Sequence, residues 1–227
     1  MDFPDRYLRN MPSVSEAEQE MLKNASVFVA GCGGLGGYAV ELLARLGVGR
    51  ITCIDGDVFQ PTNLNRQLFC TEANIGLAKV VSAEKRVSEI NRNVKFTGIY
   101  DFLTPENAEG LTSGHSVIID ALDSQSARCV LSHAAEKAGI PFVHGAIEGF
   151  RARVYTVFPG DKMAETLFSS GAETGESSGN LSFTACFCAA LQVCEAVKLI
   201  LGKGNAPAGR LIEADLLTSA LDVIDIS

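Results

Sequence analysis

The sequence lacks the cysteine pairs that commonly hold structural zinc. None of its seven cysteines forms a C-x-x-C pair, and its three histidines (His115, His133 and His144) do not follow a metal-binding spacing. We therefore predict that there is no zinc site. The number of cysteines is odd and most of them lie in apolar segments, which predicts free, buried thiols in a reducing cytoplasm.

The chain also lacks an excess of basic residues and an uninterrupted hydrophobic run. Its 27 acidic residues outnumber 19 basic ones and give a net charge of −8, so the molecule as a whole does not attract nucleic acid or anionic membranes. Gln192, Glu195 and Lys198 interrupt the longest apolar stretch, which argues against a membrane span. The polar, charged N-terminal segment does not resemble a secretory signal peptide. We expect a cytoplasmic protein whose phosphate site, if it has one, is built locally.

Short apolar strands alternate with amphipathic helices, which predicts an α/β protein with right-handed crossovers between parallel strands. Helices are predicted at residues 13–23, 35–46, 76–90, 124–138 and 181–201. Strands are predicted at residues 26–30, 50–54, 94–99, 116–119, 141–143, 151–158, 211–216 and 220–226, the last two as an antiparallel hairpin. Residues 169–180 are small and polar, which is typical of a mobile loop. We predict one domain over residues 1–227: a Rossmann-like, mostly parallel sheet with helices on both faces, extended by C-terminal antiparallel strands.

A glycine-rich segment, GCGGLG, follows the first predicted strand. Gly31, Gly33 and Gly36 match the G-x-G-x-x-G pattern between a strand and a helix, where the backbone approaches a phosphate closely at a helix N-terminus. Asp55 ends the next strand, where an acid accepts hydrogen bonds from ribose hydroxyls. The pattern indicates a nucleotide site, and by itself it does not separate NAD from ATP.

Two basic side chains favour a polyphosphate ligand. Arg66 lies in a polar loop after the second strand and is suited to clamp a phosphate with two hydrogen bonds. Lys79 falls in the first turn of the next predicted helix, where a cation opposes the helix dipole and so indicates an anion nearby. For each residue the alternative is a solvated surface charge.

Two acids follow the fourth predicted strand, at the edge of the sheet where ligands bind. Asp120 or Asp123 is a candidate for holding Mg²⁺, which prefers oxygen ligands and shares them with phosphates. The alternative is that the acids cap the helix that begins near Ser124.

Taken in order, these motifs resemble the ThiF/MoeB/HesA family, the bacterial relatives of ubiquitin-activating enzymes. The resemblance rests on GCGGLG, DGD at residues 55–57, NLNRQ at 63–67, GLAK at 76–79 and ALDS at 121–124. The opening RYLR at residues 6–9 is similar to that family's N-terminal motif.

The resemblance implies an enzyme that uses ATP and Mg²⁺ to adenylate a partner protein. The partner is a ubiquitin-like sulfur carrier that ends in Gly-Gly, and its C-terminal carboxylate attacks the α-phosphate and releases pyrophosphate. The implied catalytic residues are Arg9, Arg66, Lys79 and Asp123, of which Asp123 also ligates Mg²⁺. The implied nucleotide-binding residues are Gly31, Gly33, Gly34, Gly36, Asp55, Asp57, Asn63 and Gln67. The resemblance also implies a homodimer in which Arg9 acts in trans, in the active site of the neighbouring subunit.

The sequence departs from the family in two places. It lacks the two C-x-x-C pairs that bind zinc in many members, and the polar loop at 169–180 lacks the cysteine that some members use for persulfide or thioester chemistry. Cys186 and Cys188 fall inside the following predicted helix, where an apolar helix face is their commoner role. We therefore expect adenylation without a covalent step through cysteine.

Two alternatives remain open. An NAD-dependent oxidoreductase would share the glycine loop and Asp55, although it would leave Arg66, Lys79 and the Arg6/Arg9 pair unexplained. A non-catalytic family member that only binds a carrier protein would explain the missing zinc and loop cysteine. The sequence names neither the carrier nor the pathway, so thiamine, molybdopterin and other sulfur-containing products are all possible.

Overall fold

The computed structural model describes residues 4–161, 179–204 and 210–225. Most of the polar loop predicted at 169–180 lies outside these residues, so the prediction that it is mobile stays a prediction. Every named strand belongs to one eight-stranded sheet in the order β3-β2-β1-β4-β5-β6-β7-β8. The strands are β1 (Ser26–Ala30), β2 (Arg50–Ile54), β3 (Lys95–Ile99), β4 (Val117–Asp120), β5 (Phe142–Glu148), β6 (Arg151–Val157), β7 (Arg210–Asp215) and β8 (Ala220–Asp225).

The sheet changes direction at β5. The strands from β3 to β5 pair in parallel, as alternation of strands and helices predicts, and those from β5 to β8 pair antiparallel. The predicted fold class, including the C-terminal hairpin, is confirmed. The extension of the single domain to all of residues 1–227 stays a prediction.

Helices cover both faces of the sheet. They are α1 (Glu16–Asn24), α2 (Gly36–Leu46), α3 (Lys79–Ile90), α4 (Pro105–Thr112), α5 (Gln125–Ala138) and α6 (Ser182–Leu201). In β1, Val27 and Val29 belong to the cluster that also holds α2, α3 and α6, whereas Phe28 and Ala30 belong to the cluster with α5. Because successive strand residues point to opposite faces, a fully buried strand separates two cores.

Helices α1 and α3 each begin three residues later than predicted, and two larger differences, a missed helix and a longer strand, have local reasons. Helix α4 was not predicted because only Ala108 and Leu111 give it an apolar face; its start is fixed by Thr104 and Asn107, which form a capping box. Strand β5 runs to Glu148 rather than ending at Val143, because its second half pairs with β6 down to Glu148 opposite Arg151.

The longest helix, α6, meets the length and composition expected of a membrane span, with a mean hydropathy of 1.7. In the structure it packs on α2 and on strands β4, β5 and β6. The polar Gln192 and Glu195 that interrupt its sequence are buried against the rest of the molecule. An apolar helix of this kind is equally typical of the core of a globular domain.

Candidate active site

The glycine loop connects β1 to α2, and two of its glycines are required by the backbone itself. Gly31 has φ +95°, and a Cβ there would lie 2.6 Å from the Ala121 carbonyl oxygen. A Cβ on Gly36 would lie 1.8 Å from the Gly31 carbonyl oxygen. Gly33 and Gly34 are different, because a Cβ on either would make only ordinary contacts, at 3.5 Å with Gln67 and 3.6 Å with Arg66. The absence of side chains at Gly33 and Gly34 therefore leaves space for something other than protein.

A charged cluster lies beside this loop, at the end of β2. Asp55 accepts hydrogen bonds from the backbone N–H groups of Cys32 (2.7 Å) and Asp57 (2.8 Å). The Lys79 ammonium is 2.7 Å from an Asp57 carboxylate oxygen and 3.6 Å from an Asp55 oxygen. The side chain of Lys79 is 7% exposed and that of Asp55 9%, so these charges act in a poorly hydrated environment.

Burial and pairing shift the pKa values of this cluster. Burial raises the pKa of the Asp55 carboxyl, and the neighbouring Lys79 and the two backbone N–H groups offset only part of that effect. For Lys79, burial alone would lower the pKa, but the Asp57 hydrogen bond and the Asp55 charge together raise it. Lys79 is therefore a firmly protonated cation at the edge of the loop.

The glycine loop, the cluster of Asp55, Asp57 and Lys79, and the neighbouring strands β2, β1, β4 and β5 surround a cavity of about 360 Å³. Nine of the residues predicted to form the site line it: Gly31, Gly33, Gly34, Asp55, Asp57, Arg66, Gln67, Lys79 and Asp123. The cavity lies at the carboxyl ends of the parallel strands, where ligands bind in open α/β sheets.

Arg66 and Gln67 stand over the glycine loop. Arg66 lies against Gly34, and its Nη1 donates to the Thr62 carbonyl and to Asn65. Gln67 is 7% exposed, and its Oε1 is buried without a hydrogen-bond partner. A buried, unpartnered acceptor is costly, which indicates that a ligand group or water completes it.

The two acids after β4 have different environments. Asp120 is fully buried, lies 2.7 Å from His144 Nδ1 and accepts the Leu122 N–H at 3.0 Å. Asp123 is exposed to the cavity and makes no hydrogen bond or ion pair within the described residues. Capping of α5 is done by Ser124, which accepts the Ala127 N–H, so Asp123 is not used as a cap. Of the two candidates for Mg²⁺, Asp123 is the one that faces the cavity.

Three predicted residues do not line the cavity. Gly36 packs against the Gly31 carbonyl within the loop, as described above. The Asn63 side chain accepts the Gln60 N–H at 3.0 Å and so closes the short 3₁₀ helix Pro61–Asn63. Arg9 lies on a 3₁₀ helix, Asp5–Asn10, at the surface of the molecule.

The N-terminal segment is anchored by contacts that its sequence does not reveal. Tyr7 is 7% exposed and packs against Gly47, where a Cβ would collide with its ring. Asn91 donates to the Tyr7 hydroxyl at 2.7 Å and accepts from Arg6. The partners, Gly47 and Asn91, are distant in sequence, which is why the pattern of residues 1–12 gave no sign of them.

One cation of the cavity was not identified from the sequence. Arg128, in the first turn of α5, lines the cavity, and its side chain is 19% exposed. The signal that identified Lys79, a cation near the N-terminus of a helix that follows a parallel strand, applies equally to Arg128.

The cysteines differ in burial even where they lie in the same apolar segment. All seven are free thiols; Cys32, Cys53, Cys70 and Cys188 are buried, and Cys129, Cys186 and Cys194 are exposed. The prediction of buried thiols is therefore wrong for those three, since an apolar helix still has an outer face. Burial raises the pKa of the Cys188 thiol to about 12, which suits it to packing rather than to nucleophilic chemistry. Within the described ranges, no three metal-binding side chains of His, Cys, Asp and Glu gather in one place.

Comparison with known proteins identifies the family. The ThiF family profile matches residues 6–227, so the chain belongs to the ThiF family. The SAMP-activating enzyme E1 of Haloferax volcanii is 32% identical over 227 residues, covering 97% of this chain and 84% of the relative. The sulfur carrier protein ThiS adenylyltransferase of Bacillus subtilis is 34% identical, covering 86% of this chain and 60% of the relative. The molybdopterin-synthase adenylyltransferase of Salmonella typhimurium is 33% identical, covering 88% and 82%.

The fold has close counterparts among solved structures. MccB of E. coli, determined with ATP, superposes with a TM-score of 0.85 at 19% identity, covering 99% of this chain and 72% of MccB. This likeness concerns the fold alone. The family resemblance noted in the sequence is confirmed, and the predicted enzyme class agrees with the names of the curated relatives, among which are adenylyltransferases.

Proposed function

We propose that this protein adenylates the C-terminal glycine carboxylate of a ubiquitin-like sulfur carrier, using ATP and releasing pyrophosphate, in the biosynthesis of a sulfur-containing cofactor in the cytoplasm. One observation carries the proposal: in a ThiF-family chain, a single cavity brings together an open glycine loop, the acid Asp55 at the end of β2, cations and the carboxylate of Asp123. Relatives named as activators of ThiS and SAMP support the class of partner.

The cavity has suitable positions for the ribose and the phosphates of ATP. Asp55, at the end of β2, is placed for the ribose hydroxyls, and the space left by Gly33 and Gly34 at the N-terminus of α2 suits phosphates. Two cations flank this region: Arg66 lies beside Gly34, and Lys79 lies beside Asp55. In this arrangement the phosphates compete with Asp57 for the Lys79 ammonium.

The chemistry needs alignment and charge neutralisation rather than a protein nucleophile. A carboxylate oxygen of the carrier forms a bond to the α-phosphorus, and the bond from that phosphorus to the bridging oxygen breaks. The electron pair leaves with pyrophosphate, and no proton is transferred. Both reactants are anions, so preorganised cations supply most of the stabilisation.

The residues present also fit Mg²⁺. Asp123 offers a carboxylate that faces the cavity and has no hydrogen bond or ion pair within the described residues, and Gln67, whose Oε1 is unpartnered, lines the same cavity. When bound, Mg²⁺ would neutralise phosphate charge. The protein itself keeps Asp123 oriented toward the nucleotide. Asp120 accepts the Leu122 N–H and Ser124 accepts the Ala127 N–H, and these two hydrogen bonds fix the turn on either side of Asp123.

We also propose a homodimer in which Arg9 completes the neighbouring site. Tyr7 packs at Gly47 and Asn10 contacts Gln19, which in turn donates to Leu46. These contacts hold Arg9 near the C-terminal end of α2, whereas the glycine loop lies at its N-terminal end, ~16 Å away for a helix of this length. Arg9 is therefore poorly placed for its own cavity.

The outer face of α6 gives separate support to self-association. Phe183, Cys186, Ala190 and Cys194 are exposed at helical spacing along that face, and no charged side chain lies among them. A long apolar stripe of this kind is typical of a surface that packs on another chain.

Two measurements separate this proposal from its alternatives. Calorimetric titration distinguishes the oxidoreductase: we expect heat of binding from MgATP and none from NAD. ATP–pyrophosphate exchange distinguishes the non-catalytic family member: we expect exchange that requires a carrier ending in Gly-Gly. NAD binding without ATP binding would replace the proposal by the first alternative, and ATP binding without exchange across a carrier panel would replace it by the second.

A further inference from the structure

Arg128 is the cation of the cavity to which neither the sequence motifs nor the nucleotide assigns a role. Its Nη2 donates to the Leu122 carbonyl at 2.7 Å, and its Nε lies 3.9 Å from an Asp120 carboxylate oxygen. That Nε is buried without a hydrogen-bond partner. The Leu122 carbonyl thus fixes the guanidinium, while the hydrogen-bonding capacity of Nε is not filled. The Arg128 side chain also lines the cavity.

The strand order separates Arg128 from the nucleotide side of the cavity. Asp55 and Lys79 belong to the β2–α3 region, the glycine loop follows β1, and Arg128 follows β4. Since neighbouring strands are ~4.8 Å apart, β2 and β4 are ~10 Å apart across β1. A nucleotide with its ribose at Asp55 and its phosphates on the loop therefore leaves the β4–β5 side of the cavity free for the second reactant.

Small and apolar residues line the β4–β5 side of the cavity. Ala121 and Ala146 lie there together with Leu122 and Ile147. A Cβ on the adjoining Gly145 would lie 2.4 Å from the Gln192 side chain, so the wall there is tightly packed. The small alanines beside the guanidinium suit a chain end without bulky side chains, such as a Gly-Gly terminus.

Buried polar groups fix the position of Arg128. Asp120 lies between His144 at 2.7 Å and Arg128 at 3.9 Å, and Gln192 Nε2 donates to the Asp120 carbonyl at 2.7 Å. These contacts tie the guanidinium to β4, β5 and α6 together, so it is a preorganised donor rather than a flexible one.

We propose that Arg128 binds the carboxylate of the incoming carrier and aligns it for attack on the α-phosphate. A guanidinium matches a carboxylate with two parallel hydrogen bonds, and it offsets the repulsion between that carboxylate and the polyphosphate. The assignment rests on the proposed adenylation. It makes Arg128 a residue that selects a free C-terminal carboxylate.

The test compares Arg128→Gln and Arg128→Lys with the wild type, and uses Arg92→Gln as the control for loss of a surface charge, because Arg92 is exposed and lies outside the cavity. The probe is a carrier that supports exchange, prepared with a C-terminal carboxylate and with a carboxamide. Wild type and Arg92→Gln should bind the carboxylate form more tightly than the amide form, by on the order of 10-fold or more. Arg128→Gln should lose that preference and need on the order of 10–100-fold more carrier for half-maximal exchange, while its affinity for MgATP changes little.

The outcomes separate this assignment from the function on which it rests. If the wild type exchanges no pyrophosphate with any carrier, the proposed function fails and the assignment fails with it. If the wild type is active and Arg128→Gln keeps the preference for carboxylate, the assignment alone is overturned. A purely structural role for Arg128 would weaken MgATP binding and both carrier forms alike, which is also a contradicting result. Should Arg128→Gln not fold, Arg128→Lys keeps the charge but loses the paired donors, and it should still lose most of the preference.

Discussion

At the residue scale, the glycine loop contains two kinds of glycine. Replacing Gly36 with alanine places a Cβ 1.8 Å from a backbone oxygen, whereas the same change at Gly33 meets nothing closer than 3.5 Å. We predict that Gly36→Ala lowers the free energy of unfolding by about 1–3 kcal/mol or more. Gly33→Ala should keep the stability of the wild type and weaken MgATP binding, because the added methyl group occupies phosphate space.

Thermal unfolding and calorimetric titration of the two variants check this prediction. Each variant serves as the control for the other, since both add one methyl group to the same loop. Equal MgATP affinity in Gly33→Ala and the wild type would mean that the phosphates do not lie on this loop.

We predict that the Asp55 carboxylate lowers the stability of the folded protein, although it contributes to nucleotide binding. Burial raises its pKa above the ordinary value of 3.8, so the folded state disfavours the ionised form. The stability linked to the protonated form is complete below pH 3.8 and is lost as pH rises through the higher folded-state pKa. Without nucleotide, wild type should therefore lose stability relative to Asp55→Asn as pH rises from about 4 toward neutral.

Urea unfolding of both proteins across that pH range measures the difference. Asp55→Asn, and likewise Asp55→Ala, should also bind MgATP more weakly than wild type, by ~1.5–3 kcal/mol. A variant that is less stable than wild type at neutral pH and binds MgATP equally well would contradict both parts.

At the scale of elements, two of the three cysteines of α6 lie on opposite faces of the helix. Cys188 is buried, with its sulfur 3.7 Å from the Ala146 carbonyl and 3.6 Å from that of Arg153, whereas Cys186 is exposed. We predict that Cys188→Ser lowers the free energy of unfolding by about 1–3 kcal/mol, because it buries a hydroxyl and leaves a small gap. Cys186→Ser should change stability little, and neither variant should abolish pyrophosphate exchange.

Denaturant unfolding and pyrophosphate-exchange assays on these two variants measure both predicted effects. Loss of exchange in a well-folded Cys188→Ser or Cys186→Ser protein would show that the chemistry passes through that thiol.

The same scale shows what could be predicted from the sequence. The parallel strands and their helices were predicted because each has a clear hydrophobic period and ends in glycine or a polar loop. Helix α4, with only Ala108 and Leu111 as its apolar face, has too weak a period. The site residues that line the cavity were found because they follow strand ends in ordered motifs. The anchoring of Tyr7 depends on its contact with Gly47, which is made by folding and leaves no local pattern. Arg128 carried the same local signal as Lys79, but its contact with Asp120 appears only in the folded structure.

At the scale of the whole molecule, the position of Arg9 predicts shared active sites. Arg9→Ala and Lys79→Ala should each be inactive as homodimers. In a mixed dimer one site lacks both groups and the other is intact, so random exchange of subunits should restore about a quarter of wild-type sites, by two-fold symmetry. Pyrophosphate exchange before and after mixing measures the recovery. Activity that stays absent after subunit exchange has been verified would show that Arg9 acts within its own chain or has no catalytic role.

The most direct test of the central claim is carrier-dependent exchange of labelled pyrophosphate into ATP. The reaction is run with the wild-type chain and a panel of ubiquitin-like sulfur carriers, each intact or lacking its terminal Gly-Gly, and with Lys79→Ala as the matched inactive enzyme. We predict exchange with at least one intact carrier, none with its truncated form, and a loss of ~10²–10³-fold in rate for Lys79→Ala. Exchange that does not depend on the carrier terminus, or its absence with every intact carrier while MgATP still binds, would contradict the account.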